Sequence, residues 1–402
     1  MPCPNCGCVE TRTVYGVRRI PIHSCVLLED AQAARSFPTG DLSWTFCESC
    51  TFLFNADFDP ARMDYSSDYE ETQGFSGTFT RWLEGVGRAL IERYDLRGKR
   101  ILEIGCGRGD FLELVARLGD AEGIGVDPSA TAGRVDHSAG RGLRFLQEEF
   151  GPEHAGLAPD AIVCRHTLEH LRPARELLAN VHAALMSQRG ADEGGIAFFE
   201  VPDVERQLVE GAFWDVYYEH CAYYGEASLR ALFEASGFRV EALERVYGDQ
   251  YLQIAARAVP TPGGPRAPRV EDPATRERWR SLVQGFAESC EGAIGTWNAF
   301  RSARGADRER VVLWGSGSKA TGFLSTLGWD TAPDGLEFVV DINPDKWERF
   351  VAGSGQRIAA PKELSVYRPR HVVVMNPIYV EEIAADLAEL SCGDVELHPL
   401  GK

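Results

Sequence analysis

Arg100-Ile-Leu-Glu-Ile-Gly-Cys-Gly-Arg-Gly-Asp110 carries an apolar strand straight into three alternating glycines and then into a helical pattern over residues 110–118. Glycine at 105, 107 and 109 permits a tight turn and a close approach of backbone to ligand, and the helix start offers unpaired N–H groups. At the end of a first strand this describes a nucleotide-type pocket. A dinucleotide fingerprint wants Gly or Ala five residues after its first glycine, and Asp110 stands there, which disfavours NAD at this loop. The next strand, Glu122-Gly-Ile-Gly-Val-Asp127, ends in an acid at the spacing that suits a grip on ribose hydroxyls.

With 402 residues the chain has room for two or three domains, and its formal charge of -18 argues against nucleic acid or an anionic membrane as the main partner. No apolar run approaches a membrane span of about 20 residues, and Met-Pro-Cys-Pro-Asn-Cys has none of the regions of a signal peptide. The expectation is a cytoplasmic protein whose 11 cysteines stay reduced. Cys3 and Cys6 repeat their spacing at Cys47 and Cys50, and two such knuckles make the four-sulfur tetrahedron that zinc prefers. Because protein would fill all four positions, the metal's role is structural; Cys8, Cys25 and His23 are possible substitutes among the ligands.

Residues 55–73 are acidic and aromatic, and Tyr65 and Tyr69 suit a lid over a site. Helix and strand patterns then alternate to about residue 256, predicting a mainly parallel sheet with helices on both faces and a closing antiparallel pair. Cys106 belongs to the glycine loop, Glu149 falls near an adenine, and His166 lies where a fourth strand must point to the same edge. His166 and His170 are also a conceivable metal pair. Phe213-Trp-Asp-Val-Tyr-Tyr-Glu-His-Cys-Ala-Tyr-Tyr224 surrounds Glu219 and His220 with aromatics, the mix of acid, base and phenol that proton transfer requires. After a Pro/Gly linker at 260–268 and a charged helix at 274–301, Gly315, Gly317 and Ala320 fit a relaxed dinucleotide pattern, with Lys319 placed to meet a phosphate.

The run from Glu103 to Gly109 resembles motif I of the class I S-adenosylmethionine-dependent methyltransferases, in which an acid precedes the glycines. Nearly the whole chain resembles the C-methyltransferases of nucleotide-activated deoxysugars. Its marks are the two Cys-x-x-Cys pairs, this loop, Tyr217-Tyr-Glu-His220 followed by Tyr223, and Gly315 to Lys319 with Asp341-Ile-Asn-Pro-Asp-Lys346. The resemblance implies an α/β protein of three domains, with a linker and helix before the last. A zinc-binding domain spans residues 1–60, a class I methyltransferase domain 61–258, a linker and helix 259–305, and a Rossmann-like substrate-binding domain 306–402. It implies S-adenosylmethionine and structural zinc as cofactors, a nucleotide sugar as substrate, and Tyr217, Glu219 and His220 as acid/base groups. Two positions depart from the family: Tyr218 stands where its members have His, and Gly248-Asp249-Gln250 replaces a Gly-Gly-Ser that precedes a closing strand. The second change alters a contact to sugar or phosphate at Gln250.

For carbon methylation beside a ketone, His220 takes the acidic proton, Glu219 orients or charges it, and Tyr217 donates to the enolate oxygen. Sugar O-methylation is the alternative on the same scaffold. A nicotinamide oxidoreductase using the Gly315 loop and a non-catalytic sugar-nucleotide binder are the rivals from other classes.

Overall fold

The computed structural model describes residues 1–63, 70, 72–130, 142–187, 193–261, 264–307, 310–329, 336 and 338–401. Tyr65 and Tyr69, expected in a lid, lie outside the described residues.

Three sheets organise the chain. The first is antiparallel, with β1 (Thr11–Pro21), β2 (Thr39–Cys47) and β3 (Leu53–Asn55). The second has seven strands: β4 (Arg100–Ile104), β5 (Glu122–Val126), β6 (Leu143–Leu146), β7 (Ala161–Arg165) and β8 (Ile196–Pro202), then β10 (Phe238–Val246) and β11 (Tyr251–Ala258). Between them in sequence, β9 (Ala222–Tyr223) leaves this sheet and pairs antiparallel with β3. The first sheet is therefore completed by the aromatic segment inserted between β8 and β10 of the second sheet. The third sheet holds β12 (Val311–Trp314), β13 (Phe338–Val340), β14 (Arg357–Ala359), β15 (His371–Val374) and β16 (Glu396–Pro399), all parallel.

Strand order in the second sheet is β10-β11-β8-β7-β4-β5-β6, with β11 antiparallel to both its neighbours. Order in the third is β14-β13-β12-β15-β16. In both of these sheets the strand order thus reverses beside the first strand, between β4 and β7 and between β12 and β15, and ligands of open α/β sheets bind at such switch points. The sequence expectation of a doubly wound sheet with a closing antiparallel pair agrees with this topology. Strands at the centre, such as Ile101, Leu102, Ile162 and Val163, are fully buried and apolar on both faces, as helix-covered parallel strands must be.

The cysteine-rich segment packs Trp44, Phe46 and Phe54 at 0% exposure. Its hydrophobic contacts are borrowed: Trp44 lies 4.6 Å from the Tyr223 ring and 4.7 Å from Phe286 of the helix Pro273–Asp307. Among the described residues no helix is long and apolar enough to cross a membrane.

Candidate functional site

One cavity of about 1450 Å³ takes its walls from both switch points, including Gly105 and Asp127 on one side and Gly315 and Lys319 on the other. Single small-molecule pockets run to roughly 300–1,000 Å³, so this volume suits two ligands at once.

At the first switch point the glycine loop is locked by close packing. Gly105 has φ +67° and a Cβ there would lie 2.0 Å from Thr167 Oγ1, so no other residue fits without a shift. Gly107 N donates to Asp127 Oδ2 at 2.8 Å, and Ser129 N donates to Asp127 Oδ1 at 2.6 Å. The acid at the end of β5 therefore ties the loop to the next strand. Glu103 is 3% exposed, and its Oε2 has no hydrogen-bond partner. Burial pushes its carboxyl up to about 8. An orphaned acceptor beside a helix start and a second acid make an acceptor set that an adenosyl ligand's hydroxyl and ammonium donors would satisfy. Cys106 is buried, its thiol raised first by that burial, and Glu149 is exposed at the rim.

His166 lies on the cavity wall at φ +49° with Nδ1 3.6 Å from Glu169. Its Nε2 is 3.0 Å from Glu200 Oε1, though not aligned for a hydrogen bond. Burial works against its charge, but the two carboxylates hold it at about 9. Arg165 also pairs with Glu200 at 2.7 Å, and despite burial these cations keep that carboxyl at about 2. Among the described residues His166 and His170 share no cluster of three or more possible metal ligands. The compact group is Glu169, His170 and His220, whose nearest donor atoms lie within 4.8 Å of one another.

His220 stands edge-on between two rings, 4.8 Å and 89° from His170 and 4.9 Å and 90° from Tyr217. Its Nδ1 is buried without a hydrogen bond, as is Glu169 Oε2. Burial and the neighbouring His170 lower its pKa to about 4, so the imidazole is neutral at pH 7. Three sequence expectations for this segment are corrected. Glu219 does not line the cavity: its carboxylate accepts from His23 Nδ1 at 3.2 Å, from Ser24 N at 3.1 Å and from Ser24 Oγ. Tyr217 donates its hydroxyl proton to Asp215 at 2.7 Å, which takes it away from an acceptor's oxygen. Tyr223 is 2% exposed and off the cavity; its hydroxyl donates to Tyr217 O at 2.8 Å while its ring packs on Trp44.

At the second switch point Ser316 N and Oγ donate to Asp341 Oδ2 at 2.8 and 2.6 Å. Lys319 Nζ sits 2.7 Å from both oxygens of Asp215, which Arg206 also pairs, so its ammonium is already engaged with protein. Burial lowers it to about 8 in spite of that carboxylate. Gln250 lines the cavity and donates to Asn376 Oδ1 at 2.9 Å. The Asp215 cluster was missed from sequence because its partners are 104 and 9 residues away and share no periodicity.

The four sulfurs Cys3, Cys6, Cys47 and Cys50 converge, with Sγ–Sγ distances of 3.7 Å for Cys3–Cys50 and 3.5 Å for Cys6–Cys47. A tetrahedron with metal–sulfur bonds of about 2.3 Å needs sulfurs about 3.8 Å apart, so the donor set fits zinc closely. His23 and Cys25 are not substitutes: they lie beyond the other end of β1, against Glu219 and Ser318.

Residues 77–243 match the model of a methyltransferase domain, and residues 266–397 match that of a C-methyltransferase C-terminal domain. The chain belongs to the class I S-adenosylmethionine-dependent methyltransferases. This methyltransferase is 25% identical over 328 residues to C-methyltransferase NovU of Streptomyces niveus, covering 78% of this chain and 75% of that one. Over 134 residues it is 31% identical to the ubiquinone biosynthesis O-methyltransferase of Cronobacter sakazakii, covering 28% of this chain and 55% of the relative. A solved Burkholderia thailandensis 1,6-didemethyltoxoflavin-N1-methyltransferase aligns over 44% of this methyltransferase and 79% of its own chain, at 20% identity and a TM-score of 0.34, too loose a likeness to argue from.

Proposed function

We propose that this methyltransferase transfers a methyl group to a carbon beside a keto group on a nucleotide-activated deoxysugar. The observation that carries the reading is the single cavity between two glycine loops, one suited to the methyl donor and one to the diphosphate of an acceptor. The likeness to NovU over most of both chains, its C-terminal part included, favours carbon over oxygen as the acceptor atom. S-adenosylmethionine supplies an electrophilic sulfonium methyl when bound. Glu103, Gly105, Gly107 and Asp127 hold it, with Glu149 and His166 at the edges of its site. His220 receives the proton from the carbon next to the carbonyl, and Tyr217 positions Asp215 and Lys319 across from it. A structural zinc on Cys3, Cys6, Cys47 and Cys50 completes the reading.

Glu103 gives a first test. Its carboxyl is raised by burial to about 8 and so is mostly protonated at pH 7, and hydroxyl or ammonium donors from the ligand favour the ionised form. Binding of S-adenosylmethionine at pH 7 should therefore release close to one proton, read by calorimetry in two buffers of different ionisation enthalpy. Binding without proton release contradicts this role for Glu103, and no affinity for the donor or its demethylated product contradicts the site as a whole.

The acceptor's diphosphate is tested at Gly317, which precedes the helix Ser318–Leu327. Its φ is -78° and a Cβ there meets nothing within 4 Å, so Gly317→Asp fits and even caps the helix. The added carboxylate also occupies the place of an anion. Acceptor KM should rise about tenfold or more, some 1.4 kcal/mol of lost binding, while unfolding temperature and donor affinity stay put. An unchanged acceptor KM removes the diphosphate from this loop.

A further inference from the structure

We infer that His23 and Ser24, on the turn that leaves β1, are positioning residues for the Glu219–His220 pair, so that the cysteine-rich segment completes the acceptor side of the methyltransferase site. The inference rests on the reading of residues 217–220 as the proton-handling element. Glu219 is 1% exposed, and a buried carboxylate is costly unless hydrogen bonds and opposite charge compensate it. His23 and Ser24 supply three of its hydrogen bonds, from a part of the chain almost two hundred residues away. The same turn is clamped to the second glycine loop: Thr321 Oγ1 donates to Ser24 O at 2.9 Å, and Ser24 Oγ lies 2.7 Å from Ser318 Oγ.

The consequence falls on His220. With no hydrogen bond at its buried Nδ1, the ring has no partner there to set its orientation, and it is held edge-on by His170 and Tyr217. Its aim therefore depends on where the backbone of residues 219–220 sits, and the carboxylate anchored by His23 and Ser24 pins that backbone. A displacement of about 1 Å at a reacting group can cost on the order of 10²-fold in rate, so a loosened Glu219 lowers turnover with little effect on binding.

The test is a double-mutant cycle on the full-length, zinc-loaded protein. His23→Leu should lower kcat at least about tenfold while KM for donor and acceptor changes less than about threefold, the mark of lost positioning. His23→Asn, whose amide can donate from near the Nδ1 position, should recover most of that loss. In a Glu219→Gln background the His23→Leu loss should almost vanish, because the group through which it acts is already altered. Should His23→Leu fail to fold, Ser24→Ala replaces it, with a several-fold kcat loss that disappears in Glu219→Gln. Equal losses in both backgrounds, or a lowered unfolding temperature with kcat intact, overturn the positioning role. An unchanged kcat in Glu219→Gln alone overturns the proton-handling reading of residues 217–220 as well.

Discussion

Replacing His220 with Asn should slow methyl transfer by about 10²–10⁴-fold, roughly 3–5 kcal/mol of barrier, with the affinity for S-adenosylmethionine nearly unchanged. The loss is expected in kcat because a base contributes only once its proton begins to move. His220 is the strongest candidate because it is buried on the cavity wall and neutral, lowered to about 4 by burial and by His170. The sign of that shift matters. A free imidazole is mostly protonated below about pH 6.5, whereas this one keeps its acceptor nitrogen down to about 4, so the base stays competent well into acid. The same depression removes stability as pH falls from about 6.5 towards 4, where the unfolded chain takes up a proton that the folded one refuses. With acceptor present and donor absent, wild type should exchange the proton beside the carbonyl for solvent deuterium and His220→Asn should not. Near wild-type turnover in the variant moves the base to another group, with His170 and Glu169 the nearest to it.

The second large effect is on stability. Cys47→Ala should cost about 3–5 kcal/mol, read as a lowered unfolding temperature, and should abolish the one zinc per chain that elemental analysis is expected to find in wild type. In small peptides zinc supplies about 10–16 kcal/mol because they have no other core. Here Trp44, Phe46 and Phe54 are fully buried against neighbouring segments, so part of the fold survives without metal. Turnover of the remaining folded protein should change little. The β1–β2 register pairs Thr11 with Cys47 and Pro21 with Thr39, which puts the sulfur cluster and His23 at opposite ends of a hairpin roughly 30 Å long. A wild-type chain with no bound metal, or a metal bound by a set that includes Cys8, contradicts the assignment.

What could be read from sequence followed from local chemistry. Glycines 105 and 315 announce turns that require positive φ, the acid Asp127 ends its strand at a fixed spacing, and Cys-x-x-Cys aims two sulfurs at a point. These are short-range constraints, and the strand and helix periods around the first of them match the mainly parallel second sheet with its closing antiparallel pair. Failures came where a long-range contact decides a side chain's partner. Glu219 sits beside His220 in sequence yet spends its hydrogen bonds on His23 and Ser24, because burial of its charge demands donors and that turn provides them. Lys319 opens a phosphate-ready helix but is drawn to Asp215 from a turn that packs against that helix, with Gly322 admitting Trp214 O to within 2.7 Å of where a Cβ would lie. Tyr223 matched a family motif by spacing, while its strand pairing with Leu53 turned it into the core.

Incubating the protein with S-adenosylmethionine carrying a ¹³C-labelled methyl and a nucleotide-activated keto-deoxysugar, then recording the carbon spectrum of the product, tests the central claim most directly. A label bonded to sugar carbon, shown by its correlation to a neighbouring ring carbon, is the predicted result. A label bonded to oxygen as a methyl ether, or no transfer to any such acceptor by protein that binds the donor, would contradict it.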